Sequence, residues 1–144
     1  MSLSISKPIS IHPIEQSVRP NHFKGIEILV VDDEEDSLDI LTLLLEQEGA
    51  TVIPVKSARL AMEAFNQKTP TVIVSDIGMP DTDGYTLMSK IRALPQGKDI
   101  PAIALTAYAA EIDRQQTFDA GFQKHLAKPI NVVELIATIS ELIE

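Results

Sequence analysis

The chain has 144 residues, 44% hydrophobic and 23% charged, the usage of an ordinary globular domain large enough for one core, which excludes global disorder. It holds no cysteine and three histidines, which rules out disulfides, thiolate metal sites and thiol nucleophiles together. The net charge of −9 is uneven: residues 1–24 carry three bases and one acid, leaving nine bases and twenty acids on residues 25–144, a balance that repels a phosphate backbone and points away from nucleic acid.

No apolar run reaches the length of a bilayer span, and the N-terminus lacks the basic start and apolar stretch of a secretory signal. A cytoplasmic chain without membrane insertion is the expectation. Residues 1–24, with Pro8, Pro13, Pro20 and five serines, show no sustained period and read as a flexible leader or linker. From Gly25 onward, residues 25–144 read as one domain.

Ile26 to Val31 is an apolar run with the length of a buried strand; Leu38, Leu41, Leu44 and Leu45 then follow at helical spacing, and Gly49 is placed to end that helix. Val52 to Val55 is the second strand. Ser57 stands where an N-cap belongs, ahead of a helix with Ala58, Ala61 and Phe65 on its inner face. Thr71 to Ser75 is the third strand, and the turn-rich stretch from Gly78 to Gly84 leads to a helix marked by Leu87, Ile91 and Leu94. Ile100 to Leu105 is the fourth strand. A helix around Ala109 to Ala120 carries only a thin apolar stripe and should be loosely held; Gly121 closes it and Phe122 to Leu126 is a short fifth strand. The last helix starts at Asn131, with Glu134 in capping-box position, and buries Leu135, Ile136, Ile139 and Leu142. Five β/α alternations with apolar strands imply a doubly wound parallel sheet covered by helices on both faces. In that class ligands bind beyond the carboxyl ends of the strands, near the topological switch point.

Every strand end near that crevice carries a polar group: Asp32 and Asp33 after the first, Asp76 after the third, Thr106 after the fourth, Lys128 after the fifth. Singly, each has a plain structural role as a helix-start acid, a turn former, a cap or a surface charge. Together, carboxylates at one rim repel one another, which either raises a pKa or recruits a cation, a hard divalent ion being the natural remedy. Mg²⁺ suits oxygen ligands shared with phosphate, whereas zinc is disfavoured without cysteine or a neighbouring histidine. A carboxylate can attack phosphorus to form an acyl phosphate when its charge is neutralised and the donor is aligned. Asp76 is the candidate nucleophile, Lys128 the cation for a phosphoryl oxygen and Thr106 a hydroxyl for another.

The segments Val-Val-Asp32-Asp33-Glu, Ser-Asp76-Ile-Gly-Met-Pro-Asp-Thr-Asp-Gly84, Ala-Leu-Thr106-Ala and Lys128-Pro129, in this order, resemble the response-regulator receiver domains of two-component systems across residues 26–143. The resemblance implies a flavodoxin-like fold with strand order 2-1-3-4-5 and five helices. It implies that Asp76 accepts a phosphoryl group from a histidine kinase or a histidine phosphotransfer protein. It further implies Mg²⁺ held by Asp33, Asp76 and the Gly78 carbonyl, with Asp32 acting through water, Lys128 and Thr106 on the phosphoryl group, and a cis Lys128–Pro129 bond. Such a module is no turnover enzyme; it catalyses at most its own phosphorylation from small donors and slow dephosphorylation.

In this family an aromatic residue three places before the lysine follows the hydroxyl of the Thr106 position when the domain switches. Here that place is His125, which reads either as a switch residue or as a half-exposed strand residue. Tyr108 reads either as a gate on the phosphoryl group or as a cover for the core edge. The face of the fourth helix, fifth strand and fifth helix is the family's usual output and dimer surface. The leader resembles the linker ahead of receivers in hybrid histidine kinases, which is the expected setting. Two alternatives stay open: a receiver-like scaffold acting without phosphorylation, and a Mg²⁺-dependent aspartyl phosphatase, which lacks its usual second acid because Gly78 occupies that place.

Overall fold

In the computed structural model, residues 22–107 and 114–144 are described. Strands β1 (Glu27–Val31), β2 (Thr51–Val55), β3 (Val72–Asp76), β4 (Ala102–Thr106) and β5 (Lys124–Ala127) alternate with helices α1 (Glu35–Gln47), α2 (Ala58–Gln67), α3 (Gly84–Arg92), α4 (Arg114–Ala120) and α5 (Val132–Ile143). All four strand pairings are parallel, and the sheet order is β2-β1-β3-β4-β5. The doubly wound expectation and its 2-1-3-4-5 order hold. Central strands β1, β3 and β4 are buried almost throughout because alternate residues serve opposite faces.

On one face Ile28, Val30, Val72, Val74, Ile103 and Leu105 meet α1 and α5 through Leu38, Leu41, Leu45, Leu135 and Ile139. On the other, Leu29, Val31, Ile73, Ala102 and Ala104 meet α2, α3 and α4 through Ala61, Phe65, Leu87, Met88, Ile91 and Ala120. Each fully buried large apolar side chain contributes about 1.5–3 kcal/mol relative to exposure, so the two layers together hold the strand ends in place. Pro54 sits in edge strand β2, where a missing ladder donor is tolerated. The packing reaches back past Gly25: Phe23 is 1% exposed, and its N–H donates to the Glu48 carbonyl at 2.6 Å.

The expected helix signals operate as local chemistry. Ser57 and Asn131 each accept a backbone N–H at the start of their helices, and so does Asp83, which the sequence reading placed only in a turn. At the end of α1, Gly49 takes φ +95°, while Ala50 N–H reaches Leu45 O and Gly49 N–H reaches Glu46 O, the paired bonds of a Schellman stop. Leu94, expected inside α3, lies beyond it with an extended backbone at ψ 142°. The reason is Pro95, which disfavours the helical conformation of the residue before it. The fourth helix is seen from Arg114; Tyr108 and the expected turn from Ala109 to Asp113 lie outside the described residues.

Candidate phosphoacceptor site

The parallel sheet delivers its carboxyl ends to one rim. Asp76 is the last residue of β3 and Thr106 the last of β4; Asp32 and Asp33 follow β1, and Lys128 follows β5. Backbone bonds tie these exits together: Lys128 N–H donates to Thr106 O at 2.7 Å, Ile77 N–H to Leu105 O at 3.1 Å and Asp32 N–H to Val55 O at 3.1 Å. The site is therefore built on strand termini rather than on a mobile loop, which fixes its side chains to within small tolerances.

Lys128 Nζ donates to Asp32 Oδ2 and to Asp76 Oδ2, at 3.1 Å each. The remaining oxygens are also held: Asp32 Oδ1 accepts the Glu34 N–H at 2.9 Å, and Asp76 Oδ1 accepts the Gly78 N–H at 2.9 Å. Asp32 is fully buried, Asp76 and Thr106 nearly so, and Asp33 is exposed. Carboxylate oxygens of Asp32, Asp33 and Asp76 nevertheless lie within 4.8 Å of one another. The lysyl–prolyl bond after β5 is cis, as the family resemblance implied.

Burial pushes the Asp32 carboxyl above its ordinary value, against the Glu34 N–H and Lys128, while the nearby Asp76 charge adds to the rise. Burial pulls Lys128 down, yet the hydrogen bonds and charges of Asp32 and Asp76 outweigh it and hold the ammonium above its ordinary value. Three carboxylates against one ammonium leave a local excess of two negative charges. The donor set, all hard oxygens with no sulfur and no imidazole, fits a Mg²⁺ ion of the matching charge.

The structure brings together Asp32, Asp33, Asp76, Thr106 and Lys128. Gly78 is adjacent through its N–H; His125 is half-buried in β5, paired with Ala104 of β4. One participant escaped the sequence reading: Glu34, whose Oε1 lies 3.7 Å from Lys128 Nζ. Its only signal was membership of the acidic run after β1. A second is Gly84, where a Cβ would stand 2.5 Å from the Asp76 carbonyl oxygen and 2.7 Å from Ile77 Cα. That close approach lets α3 begin directly against the strand end carrying Asp76. Beside the acids a groove is lined by Asp32, Glu34, Ile40, Leu44, Lys128 and Pro129, and Ile40 and Leu43 stand exposed on α1.

The family model for the response regulator receiver domain matches residues 28–140. An uncharacterized 14.6 kDa protein from Leptolyngbya boryana is 44% identical over 116 residues, covering 81% of this chain and 88% of that protein. Hybrid signal transduction histidine kinase D of Dictyostelium discoideum is 34% identical over 147 residues, covering 94% of this chain and 10% of the kinase. The crystal structure of the receiver domain of a Pseudomonas aeruginosa sensor histidine kinase, with a magnesium ion coordinated in its active site cleft, superposes with a TM-score of 0.77 at 33% identity. That alignment covers 83% of this chain and 98% of the other.

Proposed function

Because the chain belongs to the response regulator receiver family, the phosphoacceptor modules of two-component signalling, we propose that Asp76 is its acceptor and that a phosphohistidine of a kinase or phosphotransfer protein is its donor. The observation that carries this reading is Lys128 Nζ at 3.1 Å from Asp76 Oδ2, inside a cluster of three carboxylates. An oxygen of Asp76 attacks phosphorus; the O–P bond forms as the P–N bond to the donor imidazole breaks, and the nitrogen keeps the electron pair. Lys128 lies where it would meet a phosphoryl oxygen on Asp76. The nearly buried Thr106 stands at the neighbouring strand end, with its hydroxyl assigned to a second oxygen.

Asp33, Asp76 and the Gly78 carbonyl would ligate Mg²⁺, with Asp32 acting through water; the ion supplies charge neutralisation between an anionic donor and an anionic acceptor. Asp32, buried and hydrogen-bonded at both oxygens, orients Lys128. The groove over α1, with Ile40 and Leu44 beside the acids, gives the donor protein an apolar seat next to the acceptor. The output and self-association surface is assigned to the α4–β5–α5 face, where Phe118 is 69% exposed.

Residues 25–144 form the receiver unit in this reading, with residues 1–24 leading into it and Phe23 as their anchor. No helix among the described residues is long and apolar enough to cross a membrane. Intact mass after incubation with acetyl phosphate tests the proposal. The expected result is one Mg²⁺-dependent phosphoryl adduct on the wild type and none on Asp76→Asn. If no adduct forms and no beryllofluoride complex is detected with Mg²⁺, the acceptor role is wrong and a scaffold acting without phosphorylation replaces it.

A further inference from the structure

Helix α4 has mostly exposed residues over its described length. Of its seven residues only Thr117 and Ala120 are buried, and Phe118 is 69% exposed. The sheet offers little apolar grip on this side, since β4 turns Ala102 and Ala104 toward α3 and α4 but Ile103 and Leu105 toward the opposite layer. Polar contacts to α3 take over part of the holding. Near the start of α3, the Tyr85 hydroxyl lies 3.2 Å from Thr117 Oγ1, while the Tyr85 ring packs against the core cluster that includes both alanines.

At the end of α3, Arg92 donates to Gly121 O from Nε at 3.1 Å and from a terminal nitrogen at 2.6 Å, and to Gly97 O at 2.8 Å. The turn closing α4 is itself tight: Gly121 takes φ +115°, and Phe122 N–H bonds to Thr117 O at 3.2 Å. One end of α4 is thus clamped by several bonds to backbone, and its middle is tied to α3 by a side-chain bond. The tie leads back to the acceptor. Tyr85 follows Gly84, whose N–H donates to Ile77 O at 3.1 Å and whose Cα stands so close to the Asp76 backbone that no Cβ fits.

We propose that Tyr85 and Thr117 form a latch that keeps α4 in its resting position, with the Arg92–Gly121 clamp as pivot, and that phosphorylation of Asp76 is read out by release of this latch. A shift of the Asp76–Ile77 backbone passes to Tyr85 with no slack. The hydroxyl bond is the step that yields, and the helix swings about its clamped end. The inference rests on Asp76 being the acceptor and names the residues through which acceptance reaches the surface.

The test uses Tyr85→Phe, which keeps the ring and removes one hydroxyl, and Thr117→Val, of equal shape. Amide hydrogen exchange is followed by NMR on the whole chain, without ligand and during titration with beryllofluoride and Mg²⁺. One net hydrogen bond corresponds to roughly a two- to tenfold change in an equilibrium. Ligand-free Tyr85→Phe should exchange faster by about that factor across Arg114–Ala120 and not in β3. Beryllofluoride should bind it tighter by a similar factor, because the resting state alone has lost the bond. Combining the two substitutions should cost less than the sum of the single effects, the coupling expected of a shared bond. Unchanged exchange in α4, or unchanged beryllofluoride affinity in Tyr85→Phe beside a wild type that binds it, overturns the latch and leaves the acceptor role standing. A wild type that takes no beryllofluoride overturns the acceptor role and the readout together.

Discussion

Two partly buried cations stand at opposite ends of the same sheet and meet opposite surroundings. Lys128, at the carboxyl ends of the strands, faces Asp32 and Asp76 at 3.1 Å each and is held above its ordinary pKa by them despite burial. Arg92, at the far end of α3, is bound chiefly by the carbonyl oxygens of Gly97 and Gly121; burial pulls it below its ordinary value, with Asp99 opposing. Carbonyl dipoles satisfy the donors of a guanidinium without offering any charge to exchange. Carboxylates offer charge that a metal ion and a phosphoryl group can take over. One end of the domain is built to be rewritten and the other to stay as it is.

The largest effect expected at the first end comes from Lys128→Ala. Phosphoryl adduct formation from acetyl phosphate should slow by about 10²–10³-fold, the cost of losing one aimed electrostatic donor, and Mg²⁺ should raise the melting temperature of the variant more than that of the wild type. The second part follows because Asp32 and Asp76 then face one another without a cation. The pH sense is set by the raised lysine: its contribution is complete below the ordinary value of 10.5 and is lost as pH climbs through the raised folded value. The wild type should therefore show an alkaline decline in stability that Lys128→Ala lacks. Equal declines in both proteins would erase the contrast between the two cations.

Arg92→Ala should cost about 1–3 kcal/mol by leaving carbonyls short of partners, measured by urea unfolding, with Mg²⁺ affinity unchanged. Arg92→Lys should recover little, since an ammonium cannot reproduce a planar fork shared between Gly97 and Gly121. A loss of Mg²⁺ affinity in either variant would show that the two ends are not separable. Asp83→Ala removes the cap that accepts Thr86 N–H at 2.9 Å and should cost about 1 kcal/mol. Its acceptor chemistry should stay close to wild type, because Gly84 and not Asp83 abuts the Asp76 backbone.

Much of this was legible in the residues. Alternating apolar runs and helical stripes named the five described strands and five α-helices, though not the 3-10 turn at Pro95–Gly97, and Ser57, Gly49 and Asn131 marked helix ends that the structure confirms through their own hydrogen bonds. Asp32, Asp33, Asp76, Thr106 and Lys128 could be placed at one rim because a parallel sheet must bring its strand ends to the same side. The end of α3 was misjudged at Leu94, where the pull of Pro95 on its neighbour outweighs an apolar spacing that still looks helical. Arg92, Tyr85 and Thr117 carried no signal, because nothing in their neighbours announces a partner 29 or 32 residues away.

The sequence by itself determined the secondary structure, the parallel sheet and the residue types at its active rim, since these follow from periodicity, capping and the topology of β/α alternation. Only the tertiary structure decided how charge is shared there: that Lys128 bridges two carboxylates, that Glu34 joins them, and that Asp32 is buried with both oxygens bonded. It also decided that polar contacts from α3, Tyr85 to Thr117 and Arg92 to Gly121, supplement the apolar seat of α4 at Ala120. Such matters depend on distances between chain-remote side chains and on how much water is excluded around them, which a linear order of residues does not specify.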